Sequence, residues 1–176
     1  MLVLSVVGNR PEFIKSAPLS AALRAAGIDE IVLHTGQHYD PELSEVFFRE
    51  LGLGEPRYHL DWKKTDVRDG VRAAVEAEEP DWVIVFGDTN STLVAAEGAG
   101  DVPIAHVEAG LRSFDLSMPE ERIRIAVDRM AALLTPLAAG LALEHDATRL
   151  AFGAMCGAGA VVAGGMLVTS RRLATA

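Results

Sequence analysis

The sequence predicts an α/β fold in which helices cover both faces of an open, parallel β-sheet. Two observations support this fold class. Short apolar runs alternate with longer segments of helical spacing along residues 1–136, as in sheets built from strand–helix units. The apolar runs are continuous rather than alternating with polar residues, which is typical of strands buried on both faces of a parallel sheet.

The first strand–helix unit is the clearest. Residues 2–7 form an apolar run that ends at Gly8. A helix is predicted over residues 11–26, because proline suits the first helical position and Gly27 suits the position after the last turn. Pro18 lies inside this helix and predicts a kink. We expect one face of the helix to carry three apolar residues, Ile14, Ala17 and Ala21.

The remaining elements follow in the same alternation. The other predicted strands are residues 31–33, 82–86 and 103–107. Apolar stripes at helical spacing predict the other helices, which cover residues 41–51, 65–79, 89–98 and 119–134. The segment 52–62 between two of these helices has no periodic pattern and is predicted to be irregular.

Charge and composition exclude some classes of function. The formal net charge is −9, which argues against general binding of nucleic acid. Cys156 is the only cysteine, and with no histidine near it we expect a packing role rather than a nucleophile. The first residues lack the basic segment of a signal peptide and indicate a strand. We therefore expect a cytoplasmic protein that binds neither nucleic acid nor membrane.

Three carboxylates follow predicted strands or open a helix within residues 82–124. Asp88 and Glu108 come just after two buried strands, and Glu120 opens the helix that follows. Residues just past the carboxyl ends of parallel strands line the ligand crevice of such sheets. The three side chains could therefore face one pocket, where burial would raise the pKa of Glu108 toward acid–base use.

Purely structural roles are also open to these carboxylates. Asp88 could be the N-cap of the next helix, since residues 88–91 are all good capping residues. Glu108 could form an ion pair with Arg112. Glu120 and its neighbour Glu121 could serve only the helix dipole, with nearby arginines paired to them at the surface.

A candidate anion site lies at the start of the first helix. Gly8 allows a tight turn before the helix, and helix N-termini bind anions. Arg10 and Lys15 add positive charge there, and Arg10 can grip a phosphate with two hydrogen bonds. The alternative is a simple connection with two solvated cations. A second polar loop, residues 34–40, contains Gln37 and His38, although a lone histidine in a loop is more often only solvated.

Several motifs together resemble those of a known family, the non-hydrolysing UDP-N-acetylglucosamine 2-epimerases. The match covers about residues 1–136, and the run through Glu108 is its most specific part. The motifs stand in the family's order: Gly-Asn-Arg-Pro-Glu-Phe-Ile-Lys at 8–15, His-Thr-Gly-Gln-His-Tyr-Asp at 34–40, Gly-Asp-Thr-Asn-Ser-Thr at 87–92, His-Val-Glu-Ala-Gly-Leu-Arg-Ser-Phe at 106–114 and Met-Pro-Glu-Glu at 118–121.

The resemblance implies a fold and a reaction. The fold would be the N-terminal, Rossmann-like half of a glycosyltransferase-B-like enzyme, with the active site between two halves. The reaction would interconvert UDP-N-acetylglucosamine and UDP-N-acetylmannosamine by removing the proton at sugar C2, eliminating UDP and adding it back. No cofactor and no metal are implied, and the binding partners would be the nucleotide sugar and UDP.

The resemblance also implies roles for particular residues. Asp88, Glu108 and Glu120 match the family's catalytic carboxylates, and Arg10 and Lys15 match its cationic pair. We add Arg112 as a third candidate substrate-binding cation. Gln37 and His38 match a loop that, in bacterial members, helps to bind a second, regulatory molecule of UDP-N-acetylglucosamine.

The sequence departs from the family in ways that bear on function. Ile123 stands where asparagine is usual, and the loop before residue 82 is shorter. The Rossmann-like N-terminal domain is expected to end at residue 136, and residues 137–176 are predicted to form a helix and an Ala/Gly-rich tail, or the start of an incomplete second domain. The family's second domain supplies most of the uridine and diphosphate contacts and a catalytic histidine.

We therefore expect this truncated chain to be weakly active or inactive alone, and to form homodimers or otherwise self-associate through exposed apolar surface. Two other functions remain open. One is a non-catalytic remnant that binds a nucleotide sugar or pairs with a partner. The other is a hydrolysing epimerase that releases UDP and free N-acetylmannosamine.

Overall fold

The computed structural model describes residues 1–37, 48 and 50–135. These residues include a parallel sheet of six strands and four helices whose bounds are described. The strands are β1 (Leu2–Val7), β2 (Asp29–His34), β3 (Tyr58–His59), β4 (Trp82–Phe86), β5 (Ile104–Val107) and β6 (Leu133–Thr135). The helices are α1 (Arg10–Ala25), α2 (Val67–Glu78), α3 (Asn90–Gly98) and α4 (Pro119–Met130).

The strand order is β3-β2-β1-β4-β5-β6, and every neighbouring pair is parallel. The order therefore reverses between β1 and β4, which are adjacent in the sheet although two other strands separate them in the sequence. In doubly wound sheets ligands bind at this reversal, just beyond the carboxyl ends of the strands. The predicted parallel α/β fold is confirmed.

A hydrophobic core lies on each face of the sheet. Alternate residues of β4 point to opposite faces: Trp82, Ile84 and Phe86 join the core under α1, whereas Val83 and Val85 join the core under α2, α3 and α4. All five side chains are buried. Burial on both faces explains why the strand reads as one continuous apolar run.

Helix α1 buries a different face from the one that carries the predicted apolar residues. Ile14 is 48% exposed, and Ala21 is exposed as well. The helix instead buries residues at helical spacing that are both apolar and polar: Glu12, Phe13, Ser16, Leu19, Ser20 and Leu23. Because serine and glutamate interrupt this face, the apolar pattern of the sequence did not reveal it. The predicted end at Gly27 is confirmed, since Ala26 is the C-cap and Gly27 has a φ of 68°.

Two short strands were missed. The segment 52–62 was predicted to be irregular, but it contains the two-residue strand β3. The last helix was predicted to reach residue 134, but α4 ends at Met130, Ala131 is extended, and Leu134 lies in β6. Strands of two or three residues have no period to detect, so only the neighbouring strands of the sheet define them.

Some predictions fall on residues outside the described ranges. The predicted helix 41–51 is described only at Phe48 and Glu50, which are helical, and at residue 51, a turn. Residues 137–176 also lie outside, together with His38. Within the described residues, none of the helices is both long and apolar enough to cross a membrane.

Asp66 gives a test of the local stability of α2. Its carboxylate is the N-cap and accepts hydrogen bonds from the amides of Arg68, at 3.1 Å, and Asp69, at 3.3 Å. Asp66→Ala is expected to lower the free energy of unfolding by about 1 kcal/mol, because two amides lose their acceptor. Urea denaturation measures this loss. Glu76→Ala, at an exposed position of the same helix, is the control and should change stability little; equal effects would contradict the capping role.

Candidate active site

The loops that follow β1, β2 and β4 meet at the carboxyl edge of the sheet. The hydroxyls of Thr35 and Ser91 are 2.8 Å apart, and Ser91 also donates to the side-chain oxygen of Gln37, at 2.5 Å. Gly8 lies between Thr35 and Ser91, and a Cβ at this position would overlap both hydroxyl oxygens. Glycine is therefore required at position 8 by close packing of the three loops.

A buried carboxylate joins the loop after β1 to the loop after β4. Glu12 is 1% exposed. Its Oε2 accepts from the amide of Gly8 at 2.6 Å, and its Oε1 accepts from the hydroxyl of Thr89 at 2.6 Å. Burial raises the pKa of Glu12, although the hydrogen bonds from Thr89 and Gly8 act in the opposite direction. The carboxyl group fixes the two loops that flank the reversal of strand order.

Lys15 and Glu108 form an ion pair across this crevice. Lys15 projects from α1, Glu108 follows β5, and Nζ of Lys15 contacts Oε2 of Glu108. Gly87 lies beside both: a Cβ there would be 3.3 Å from Oε2 and 3.5 Å from Nζ. Glu108 has a φ of 72°, a left-handed conformation that non-glycine residues adopt at a cost and that is concentrated at functional sites.

Asp88 lies in the loop after β4 and pairs with Arg124 of α4. The N-cap role considered for Asp88 is wrong, because Thr89 is the N-cap of α3 and forms a capping box with Thr92. The carboxylate of Asp88 does not cap α3 and is available to groups outside that helix. In the described structure it forms an ion pair with Arg124.

Helix α4 presents three charged side chains to the loops around the crevice. Glu121, Arg124 and Asp128 are spaced by three and four residues, which places them on one face of a helix. Glu121 accepts from the amide of Ser113 at 2.9 Å, a hydrogen bond that lowers the pKa of Glu121. Arg124 reaches Asp88, so it does not simply pair with the glutamates of its own helix at the surface.

Asp128 binds three partners at once. Its Oδ2 accepts from Arg112 at 2.5 Å and from the amide of Gly110 at 3.1 Å, and its Oδ1 lies 2.7 Å from Nδ1 of His106. Burial acts to raise the pKa of Asp128, but the hydrogen bonds from Arg112, Gly110 and His106 outweigh burial and lower it. Arg112 therefore pairs with Asp128 and Glu108 with Lys15, so the alternative ion pair between Glu108 and Arg112 is wrong.

A model of one protein family, UDP-N-acetylglucosamine 2-epimerase, matches residues 21–140. The chain belongs to the UDP-N-acetylglucosamine 2-epimerase family. Relatives of the same family agree with this assignment. A UDP-2,3-diacetamido-2,3-dideoxy-D-glucuronate 2-epimerase of Pseudomonas aeruginosa is 42% identical over 149 residues, which is 76% of this chain and 41% of the relative. A UDP-N-acetylglucosamine 2-epimerase of Methanocaldococcus jannaschii is 41% identical over 138 residues, 73% of this chain and 38% of the relative.

Solved structures of the epimerase family share the fold. The crystal structure of the Methanocaldococcus jannaschii enzyme with UDP-N-acetylglucosamine and UDP matches with a TM-score of 0.70 and 38% identity, over 77% of this chain and 40% of that chain. The Neisseria meningitidis enzyme bound to UDP-N-acetylglucosamine matches with a TM-score of 0.66 and 31% identity, over 74% of this chain and 39% of that one. The predicted Rossmann-like half of a glycosyltransferase-B-like fold is confirmed, and the chain spans about two fifths of the length of these relatives.

The structure brings some of the predicted site residues of this epimerase-family chain together. Lys15 and Glu108 are in contact, and Asp88 directly follows Gly87, which lies beside them. Arg10 and Glu120 are exposed on the first turns of their helices, and among the described residues the side chain of Glu120 forms no hydrogen bond or ion pair. Among the described residues, no group of histidine, cysteine and carboxylate side chains is arranged to hold a metal ion.

The sequence did not reveal four residues that organise the site: Glu12, Glu121, Arg124 and Asp128. Glu12 stands in the sequence only as part of the motif at 8–15, and the apolar pattern of the helix does not mark it as buried. The spacing of Glu121, Arg124 and Asp128 was the available signal for the other three. Charged residues at this spacing usually indicate a solvent-exposed face of a helix, so the pattern alone does not identify a buried cluster.

Proposed function

We propose that the chain forms the sugar-side half of the active site of a UDP-N-acetylglucosamine 2-epimerase. The observation that carries the proposal is the contact of Glu108 with Lys15 beside Gly87. It lies at the reversal of strand order, where ligands bind in such sheets, in a chain of the epimerase family. The left-handed backbone of Glu108 adds support, because strain of this kind concentrates at functional sites.

In the proposed reaction a carboxylate removes the proton at sugar C2, the bond from C1 to the UDP oxygen breaks, and a C1–C2 double bond forms. A proton is then delivered to the other face of C2, and UDP adds back to C1. Glu108 and Asp88 act as the acid and base in this scheme, with Glu120 as a third carboxylate of the pocket. Positioned carboxylates of this kind typically accelerate a step by about 10²–10⁴-fold.

Positive charge is needed on the other side of the breaking bond. Lys15 is part of α1, and Arg10 opens the same helix, whose N-terminus itself favours anions. We assign Lys15 and Arg10 to the departing diphosphate, and Arg112 to the substrate at the rim of the pocket. Preorganised charges stabilise a developing anion more than water does, because they need no reorganisation during the reaction.

The remaining contacts to the nucleotide are expected from protein outside this chain, because the chain spans about two fifths of its relatives. A substrate held at one end only loses most of the advantage of fixed geometry. We therefore expect the chain to give little epimerisation by itself. A non-catalytic remnant would differ from this proposal in one respect. It would bind UDP but would show no turnover even when the rest of an epimerase is supplied.

A fusion protein tests the proposal. Residues 1–135 of this chain are joined to the remainder of the Methanocaldococcus jannaschii relative, and the fusion is incubated with UDP-N-acetylglucosamine in deuterium oxide. We expect UDP-N-acetylmannosamine with deuterium at C2, at a rate at least about 10²-fold above the chain alone. Free N-acetylmannosamine would indicate a hydrolysing epimerase instead. A folded fusion that binds UDP and incorporates no deuterium would refute the catalytic proposal.

A second substrate merits the same assay because of one comparison. The Pseudomonas aeruginosa relative is named for UDP-2,3-diacetamido-2,3-dideoxy-D-glucuronate. Its identity of 42% equals that of a UDP-N-acetylglucosamine 2-epimerase homolog of Methanococcus maripaludis. Both sugars carry an acetamido group at C2, so the chemistry proposed for Glu108 and Asp88 would serve either. The ratio of kcat/KM for the two nucleotide sugars decides between them.

A further inference from the structure

We propose that Asp128 is a positioning residue that holds the loops of Glu108 and Asp88 in a single arrangement. The inference rests on the proposed function, because it assigns Asp128 a part in the same site. The described hydrogen bonds of Asp128 go to His106, Gly110 and Arg112 and not to Glu108. It would act through the backbone around Glu108 and through His106.

The first tether acts on the loop after β5. Oδ2 of Asp128 accepts from the amide of Gly110 and from the guanidinium of Arg112. These hydrogen bonds hold the residues two and four positions beyond Glu108. Glu108 and Gly110 have φ values of 72° and 78°. A left-handed glutamate persists only where its surroundings enforce that conformation. Among the described contacts, those of Asp128 are well placed to enforce it.

The second tether acts on the loop after β4. Oδ1 of Asp128 lies 2.7 Å from Nδ1 of His106, and Nε2 of His106 donates to the carbonyl oxygen of Gly87 at 2.6 Å. Gly87 immediately precedes Asp88. The ring of His106 is fully buried between these partners, and a buried hydrogen bond is costly to break. One aspartate is thus connected to both loops that carry the candidate acid and base.

The rest of α4 supports the same arrangement. Arg124 pairs with Asp88 one turn before Asp128, and Glu121 accepts from the amide of Ser113. The side chain of Asp128 is only 7% exposed, so its hydrogen bonds act in a low dielectric, where they are strengthened. A rigid helix that contacts both loops fixes the distance between them.

Two variants separate positioning from charge. Asp128→Ala removes both tethers. Asp128→Asn keeps an oxygen that can accept from Gly110 and Arg112, and its amide can donate to Nδ1 of His106 when that nitrogen carries no proton. The asparagine variant should therefore preserve the arrangement although it lacks the charge. Asp101→Ala, at an exposed position before β5, is the matched control.

The experiment is NMR spectroscopy of the full chain, without any nucleotide sugar. In Asp128→Ala we expect amide exchange of Gly110 to rise at least about tenfold, and the backbone shifts of Glu108 to leave the values of a left-handed residue. Asp128→Asn and Asp101→Ala should keep wild-type shifts and protection. Unmoved Glu108 shifts in folded Asp128→Ala would overturn the inference.

The asparagine variant keeps the inference testable if the alanine variant does not fold. Displaced Glu108 shifts in folded Asp128→Asn would also overturn it, because charge rather than placement would then matter. None of these measurements uses turnover. Failure of the proposed reaction would appear only in the fusion assay, and failure of the tether would appear only in these spectra.

Discussion

Glu108→Gln is expected to lower deuterium incorporation at C2 of UDP-N-acetylglucosamine by about 10²–10⁴-fold in the fusion with the Methanocaldococcus jannaschii relative. Glutamine has nearly the same size as glutamate, and its side-chain oxygen can still accept a hydrogen bond from Lys15. It cannot take up a proton at ordinary pH. The substitution therefore removes the acid–base function and leaves the geometry of the pocket in place.

Comparing the affinity for UDP with the rate of deuterium incorporation shows whether Glu108 acts in the chemical step or in binding. Glu97→Gln, at an exposed position of α3, is the control and should leave both quantities unchanged. We expect the affinity for UDP to change by less than about threefold in Glu108→Gln, because the carboxylate is assigned to C2 and not to the nucleotide. Deuterium incorporation within about threefold of the parent fusion would remove Glu108 from the proposed mechanism.

Glu12→Ala is expected to lower the free energy of unfolding of the chain by about 2–6 kcal/mol, because two donors lose their acceptor and each such loss costs about 1–3 kcal/mol. One of these donors is buried and the other is half-buried. The amide of Gly8 and the hydroxyl of Thr89 both donate to Glu12. A loss of this size is a large part of the stability of an ordinary domain. Urea denaturation at pH 7 measures it.

Glu12→Gln isolates the effect of pH. The pKa of Glu12 is raised above its ordinary value of 4.5 by burial, so the folded chain binds the proton more tightly than the unfolded chain. The stability that protonated Glu12 contributes is fully present below pH 4.5 and is lost as the pH rises through the raised pKa. Glutamine cannot ionise, and the variant should lack this loss.

The measurement is the difference in unfolding free energy between the wild-type chain and Glu12→Gln from pH 4 to pH 8. The pKa of Glu30 is also raised by burial, but Glu30 is present in both proteins and its contribution cancels in the difference. We expect the free energy of unfolding of Glu12→Gln to increase relative to that of the wild-type chain as the pH rises. A constant difference over this range would show that Glu12 ionises in the folded chain as it does in the unfolded chain.

The sequence was sufficient to predict the central part of the fold. β4 was predicted with its observed bounds, since a short, continuous apolar run between polar residues is typical of a strand buried on both faces. The edge strands β3 and β6 could not be predicted, because two or three residues carry no periodic signal and depend on pairing with a neighbour. The buried face of α1 was also hidden, since Glu12, Ser16 and Ser20 occupy part of it.

The sequence indicated which loops carry the candidate site residues, and only partly which of those residues are in contact. Strand ends indicated Asp88 and Glu108, and the motif at the first helix indicated Lys15. The pairing of these groups depends on which loops approach in space, so proximity in the sequence suggested an alternative pair, Glu108 with Arg112, that the structure does not contain. Asp128 lies 20 residues beyond Glu108 in the sequence, and only the packing of α4 against β5 brings it to Gly110 and Arg112.

The left-handed backbone of Glu108 means that selection for robustness and selection for chemistry would act on position 108 in opposite directions. A non-glycine residue in that conformation costs of order 1–3 kcal/mol, whereas glycine adopts it freely. A library of this chain sorted only for resistance to heat would therefore accumulate glycine at position 108. A library sorted for turnover of the fusion would retain glutamate, so the frequencies at one position would reveal which pressure had prevailed.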